Sequence, residues 1–319
     1  MALTRMRKNK FASLLAVLFL VTACAPRPPQ WTTYTPQGGS ESGVLSIAVG
    51  PDGTMWFGTS INGVSHFDGK TWVTYKDGPI SSLIFSIAMA PDKAIWVGTP
   101  GGASRFDGKT WISYPFSSEH IEPPGSVASI AVAPDGSLWF GAHYVEVPDD
   151  KPYRISGGLS HFDGQSWTTY LPDETINSIA VAPDGSLWFG SGGNGVHRFD
   201  GKTWTTFSRS DGLASEYVKS IAIAPDRSLW FGTWSSGVSR FDGKTWTRYT
   251  TDDGLASDNA NCVAVAPNGD VWVGTDEGVS CFNGSTWTTT LGRKSAYHSM
   301  SSLKRETPVF TAGWPVFEW

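Results

Sequence analysis

The side chains best suited to chemistry recur in register along this 319-residue sequence. Asp52, Asp92, Asp135, Asp184 and Asp226 each follow a proline; Asp68, Asp107, Asp163, Asp200 and Asp242 each precede a glycine. Carboxylates repeated in this way could ring a calcium ion or act as general acids and bases. Their neighbours argue for a structural role instead. Proline fixes φ at a turn corner and the aspartate beside it caps nearby backbone amides, so both dipeptides read as hairpin turns. Asn268 and Asn283 stand in for aspartate in the last copy, a change that capping tolerates and proton transfer does not. His66 and His161 share a repeat position with Arg105, Arg198, Arg240 and Cys281, which asks for a long or polarisable side chain rather than a proton shuttle. His120, His143, His197 and His298 share no position. No Ser/His/Asp arrangement, Gly-rich phosphate loop or histidine cluster with ligand spacing stands out, so the reading leans away from catalysis and expects no metal and no cofactor.

The elements that position these residues are short strands. The clearest copy, residues 220–249, reads SIAIAPDRSLWFGTWSSGVSRFDGKTWTRY. Its four apolar runs are bounded by Pro-Asp, a small-residue loop and Asp-Gly, which predicts four antiparallel strands. The second run returns as MWFGT, IWVGT, LWFGA, LWFGS, LWFGT and VWVGT, with tryptophans 40, 43, 49, 42 and 42 residues apart. A period of about 40–50 residues with four strands per unit predicts an all-β fold, a β-propeller of four-stranded blades. Six blades are clear. Thirteen of the 16 tryptophans occupy two repeat positions, which assigns them to packing between blades rather than to a binding platform. Cys262 and Cys281 fall in the first and third strands of one blade, roughly 9–10 Å apart, beyond disulfide reach.

Variation is confined to one rim. Turns after the first and third strands are short and constant, whereas connections after the second and fourth differ in length and composition, the longest being HYVEVPDDKPYRIS at 143–156. A rigid scaffold with one adaptable rim suits ligand binding. Trp234 lies on that rim outside the repeat positions, and Tyr144, Tyr153, Arg154, Asn194, Tyr217 and Asp276 are its candidate companions.

The first 23 residues read as targeting rather than fold. Arg5, Arg7, Lys8 and Lys10 precede an apolar stretch of 13 residues, 11–23, shorter than the ~20 a membrane-spanning helix needs. Val21-Thr22-Ala23-Cys24 resembles the lipobox of bacterial lipoproteins, which implies cleavage before Cys24 and lipid on its thiol and new amino group. Residues 24–30, with Pro26, Pro28 and Pro29, would form a stiff spacer, and the propeller would fill 31–290. Without the four basic residues of the signal the balance is 20 basic to 29 acidic, a poor match to nucleic acid. The expected location is outside the cytoplasm, at a membrane surface or in the periplasm, held there by lipid.

The run DGLASEYVKSIAIAPDRSLWFGTWSSGVSRFDG at 211–243 resembles the two-component regulator propeller repeat, and the resemblance extends over nearly all of 44–290. It implies a β-propeller and, in the periplasmic sensors that carry it, recognition of a ligand, often a glycan, on one propeller face. No kinase or Ig-like pattern follows the blades here, so a signalling output would have to come from a protein partner. A propeller lyase or hydrolase of the streptogramin-lyase type, and a scaffold for protein partners, are the alternatives. WTTY at 31–34 matches the fourth strands and makes seven of them for six sets of strands one to three. Either residues 291–319 complete a degenerate seventh blade with it, or the pattern lost after about Leu291 marks an altered terminus.

Overall fold

Each tight turn closes on its own aspartate or, in the last copy, asparagine. In the second class of turn, Asp68 Oδ1 accepts the N–H groups of Lys70 (2.8 Å) and Thr71 (2.6 Å), and Asp163, Asp200 and Asp242 repeat the arrangement. These hydrogen bonds to the ionised form hold the carboxyls of Asp68, Asp163, Asp200 and Asp242 down at about 2. Asn283 accepts the equivalent N–H groups of Ser285 (3.0 Å) and Thr286 (2.9 Å), so a neutral side chain makes the same turn. In the first class, Asp226 Oδ1 accepts the Ser228 N–H at 2.9 Å and its Oδ2 pairs with Arg240 at 2.8 Å.

A computed structural model describes residues 43–115, 126–143, 157–171, 174–291 and 314–315. The turns join strands into six sheets, each built on an antiparallel meander of four strands in sequence order, and Trp314–Pro315 adds a short parallel strand beside the first strand of blade 1. Residues 31–34 and most of 292–319 lie outside the described residues. In blade 5 these are Val218–Ile223, Leu229–Thr233, Val238–Phe241 and Trp246–Tyr249. The blades span 44–75, 86–115, 126–170, 176–207, 218–249 and 260–291. Their first strands lie side by side and together line an axial cavity of about 280 Å³. The molecule is an all-β, six-bladed propeller, and no α-helix occurs among the described residues.

Blades adhere through aromatic cores. Trp230 of blade 5 stacks on Tyr249 (5.5 Å between centroids) and meets Phe282 (5.6 Å) and Trp287 (6.4 Å) of blade 6. Val263 and Val271 complete that core. Close approach is possible because the second strand carries glycine where blades touch: a Cβ on Gly190 would lie 2.7 Å from Val218 Cγ1 of the next blade. The position shared by His and Arg lies beside the tryptophan across the sheet. His66 is 4.2 Å from the Trp56 ring centroid, and the guanidinium of Arg240 sits 5.7 Å from that of Trp230. Among the described residues Trp272 of blade 6 departs furthest from the expected packing role, at 47% exposed, because no described blade covers it; Trp204, 37% exposed, still packs on Phe189 and Phe199. Cys262 and Cys281 are free thiols on either side of the second strand.

The connections between blades are pinned to the blade that follows. Ser239 Oγ accepts the Ala214 N–H at 2.8 Å, and Ser280 Oγ accepts that of Ala256 at 2.9 Å. A short 3-10 turn (Arg209–Asp211, Thr251–Asp253), with Ser208 or Thr250 as its cap, ends on the aspartate of each DGLAS segment. Leu213 and Leu255, just after these turns, are buried plugs. Tyr217 is therefore reached by an ordered loop.

Candidate ligand site on the variable rim

In blades 1, 4, 5 and 6 the second residue of the first strand sits at a bulge; the equivalent repeat position is the bulged Ala128 in blade 3 and Phe85, just ahead of the strand, in blade 2. Around the ring that position reads Leu45, Phe85, Ala128, Asn177, Lys219 and Asn261, apolar through blade 3 and polar from blade 4. The polar half carries the candidate site.

Lys219 is its hub. Nζ donates to Asn261 Oδ1 at 2.7 Å and to Asn259 Oδ1 at 3.0 Å, and it lies 4.5 Å from the centroid of the Trp234 ring. Two amides and one ring face use the three donor directions of the ammonium. Asn261 Nδ2 donates onward to Asp276 Oδ1 at 2.5 Å, and Asn259 Nδ2 donates to Asp276 Oδ2. Burial pushes the Lys219 ammonium below its ordinary pKa, and the Asp276 charge partly offsets that. Trp234 is held from its other flank by Tyr217, edge-on at 5.5 Å and 74°, and by a backbone hydrogen bond from its own N–H to the Tyr217 carbonyl at 3.0 Å. With those restraints in place the indole is still 52% exposed and the Tyr217 ring 43% exposed. The polar chain continues toward blade 3: Asn177 Nδ2 donates to the Val218 carbonyl at 2.8 Å, and His143, whose imidazole is pushed down by burial, bonds the Asn177 side chain.

Three sequence candidates, Trp234, Tyr217 and Asp276, thus fall into one connected group. Asn194 does not join it: it is exposed in the neighbouring turn, where its N–H donates to Ser191 Oγ at 2.7 Å. Tyr144, Tyr153, Arg154 and the lipidation candidate Cys24 lie outside the described residues. Sequence reasoning missed Lys219, Asn177, Asn259 and Asn261. The signal was available, since a polar residue interrupts an apolar strand at the same repeat position in three successive blades. Chemically, the group offers a fixed aromatic shelf flanked by amides and a carboxylate, a surface for stacking and hydrogen bonding.

A second polar group sits on the same connections. His197, buried, has Nδ1 2.9 Å from Thr206 Oγ1 and Nε2 2.7 Å from Glu174 Oε2. The order of hydroxyl, imidazole and carboxylate suggests a triad, which the sequence pattern does not display. Its place in the repeat argues for a latch. His197 occupies the position of Ser104, Ser239 and Ser280, which bind the incoming loop, and Glu174 belongs to the loop entering blade 4.

This is a propeller with an aromatic shelf on its variable rim. A family model described as two component regulator propeller matches residues 170–193 and 254–277. Those two stretches of the chain are similar to that repeat. No curated protein matches the sequence. Among solved structures, the extracellular domain of a putative hybrid two-component system from B. thetaiotaomicron aligns at 17% identity and TM-score 0.55, over 79% of this chain and 41% of that one. Virginiamycin B lyase from Staphylococcus aureus aligns at 15% identity and TM-score 0.62, over 79% and 85%. PorZ of Porphyromonas gingivalis, a surface component of the type-IX secretion system, aligns at 17% identity and TM-score 0.60, over 75% and 38%. At these identities the likeness is one of fold, and the chain spans well under half of the first and third structures.

Proposed function

We propose that this protein is a non-catalytic binding propeller working outside the cytoplasm, anchored to a membrane by lipid on Cys24, with its ligand site on the Trp234 shelf. The observation that carries the reading is a half-exposed indole clamped by Lys219, Tyr217 and the Asn259–Asn261–Asp276 network. An exposed aromatic held this rigidly loses little conformational entropy when a ligand stacks on it. Sugars suit such a surface, because their apolar ring faces stack on indole while their hydroxyls reach amides and carboxylates. The extracellular placement is supported by the signal-like residues 1–23 and by a fold shared with an extracellular sensor domain. Any signalling output passes through a protein partner.

The reading is tested by titrating the full chain with a panel of oligosaccharides in thermal-shift and calorimetric experiments. At least one member should raise the melting temperature of the wild type and fail to do so with Trp234→Ala. A co-purifying protein and no ligand-dependent shift would replace it with the scaffold reading. For the anchor, metabolic labelling with palmitate should tag the wild type and leave Cys24→Ser untagged.

A further inference from the structure

The shelf already holds one cation. The Lys219 ammonium lies 4.5 Å from the Trp234 ring centroid, so the protein itself uses this indole to seat a positive charge. Tyr217 stands at 74° to the same indole with 5.5 Å between centroids, and both rings keep about half of their surface in water. Among the described residues they are the one pair of exposed aromatic rings in contact. Two rings set nearly at right angles form an open corner, the beginning of an aromatic cage.

Charge around the corner is mostly of one sign. The connections 208–217, 250–259 and 276–277 hold seven acidic residues and one basic residue, Arg209. Asp211, Asp253 and Asp258 are committed to the backbone N–H groups of Ser208, Thr250 and Thr251. Asp276 accepts one amide on each oxygen, from Asn261 and Asn259, and Glu277 beside it is exposed. The cations are occupied. Lys219 donates to Asn259 and Asn261 and lies over Trp234, and Arg248, on the outer strand of blade 5, donates through Nε to the Ser236 carbonyl at 2.9 Å. Lys219 offsets one carboxylate of the adjacent pair Asp276–Glu277 and leaves the other for a ligand. The field at the rim therefore favours a positive ligand group over a negative one.

We propose that the ligand of the Trp234 shelf is an amino sugar, whose ammonium group sits in the Trp234–Tyr217 corner with the Asp276–Glu277 pair as its counter-charge. This inference rests on the ligand-site reading above and narrows it from sugars in general to those bearing a free amine. An ammonium gains the ring faces and a carboxylate together. An N-acetylated sugar keeps the stacking and loses the charge, and a uronic acid is repelled.

The test is calorimetric titration of the full chain with three oligomers of matched length: glucosamine at a pH where its amines are charged, the same oligomer N-acetylated, and a uronic acid. The glucosamine oligomer should bind roughly tenfold more tightly than its N-acetylated form, as a cation–π contact and a partly exposed ion pair together supply. The uronic acid oligomer should not bind. Asp276→Asn and Glu277→Gln should each pull the amine-to-acetyl affinity ratio toward one. Glu277 is exposed, so its variant keeps the test open if Asp276→Asn disturbs the asparagine network. Binding of the glucosamine oligomer should vanish in Trp234→Ala. Binding that survives this change is attraction to the acidic chain at large and overturns the proposal. An N-acetylated or uronic acid oligomer that binds as tightly as the amine form, and depends on Trp234, also overturns it while leaving the shelf standing as a glycan site. If no saccharide of any kind depends on Trp234, the shelf reading falls as well.

Discussion

The two rims of this propeller close their connections by opposite means. On the constant rim, each turn solves its own geometry: one aspartate, or asparagine in blade 6, accepts amides two and three residues after it, and nothing is needed from another blade. On the variable rim, Lys219 is satisfied by the Trp234 ring face and by Asn259 and Asn261, 40 and 42 residues away, which depend in turn on Asp276. Local closure yields a repeatable turn with no free functional group. Closure between blades yields a unique cluster that leaves an aromatic face exposed. The contrast explains why ten repeated carboxylates are scaffold while a single tryptophan is the candidate for binding.

The largest effect expected is one that removes the contrast by loosening both rims. Trp230→Ala empties the core between blades 5 and 6 and should cost about 3–5 kcal/mol in urea unfolding; a loss confined to one rim, seen as separate transitions by hydrogen exchange, would show the rims to be independent. Gly237→Ala should also be severe, because the residue has φ +79° and an added Cβ would collide with the Tyr249 carbonyl oxygen. Next, the constant rim sharpens the comparison through pH. The carboxyls of Asp68, Asp163, Asp200 and Asp242 fall from an ordinary 3.8 to about 2 on folding, so they stabilise the native state above 3.8. That contribution is lost as pH drops from 3.8 through 2. Replacing all four with asparagine should flatten the acid limb of a stability–pH curve and keep the turns, as Asn283 does; replacing them with alanine should lower the melting temperature at neutral pH. The smallest effect on stability belongs to the variable rim. Trp234→Ala should shift unfolding by less than about 0.5 kcal/mol while abolishing ligand binding. Lys219→Met, which keeps the stem and removes the donors, should weaken binding by freeing the indole, visible as a red-shifted and more quenchable tryptophan emission.

How much of this was legible beforehand follows the same division. The blades could be read because each strand and turn is specified by neighbours within a few residues: WFGT, PDG and FDGKTW carry their geometry in their own letters. The capping role of the aspartates was legible from Asn268 and Asn283 alone. Trp234, Tyr217 and Asp276 could be named from their place on the variable rim, but nothing in the sequence says that they touch. Lys219 and Asn261 were hidden inside strands that otherwise read as apolar. His197 seemed an isolated histidine until the fold set Thr206 and Glu174 on either side of it.

By itself the sequence determined the four-stranded unit, its sixfold recurrence, the turns and the rim on which variation collects, because hydrogen bonding and chain stiffness act over a few residues. Only the tertiary structure decided which residues of different blades converge, and why Trp230 is core while Trp272, in the same motif, is surface. The physical reason is that burial belongs to a pair of facing surfaces, and a single repeat encodes just one of them.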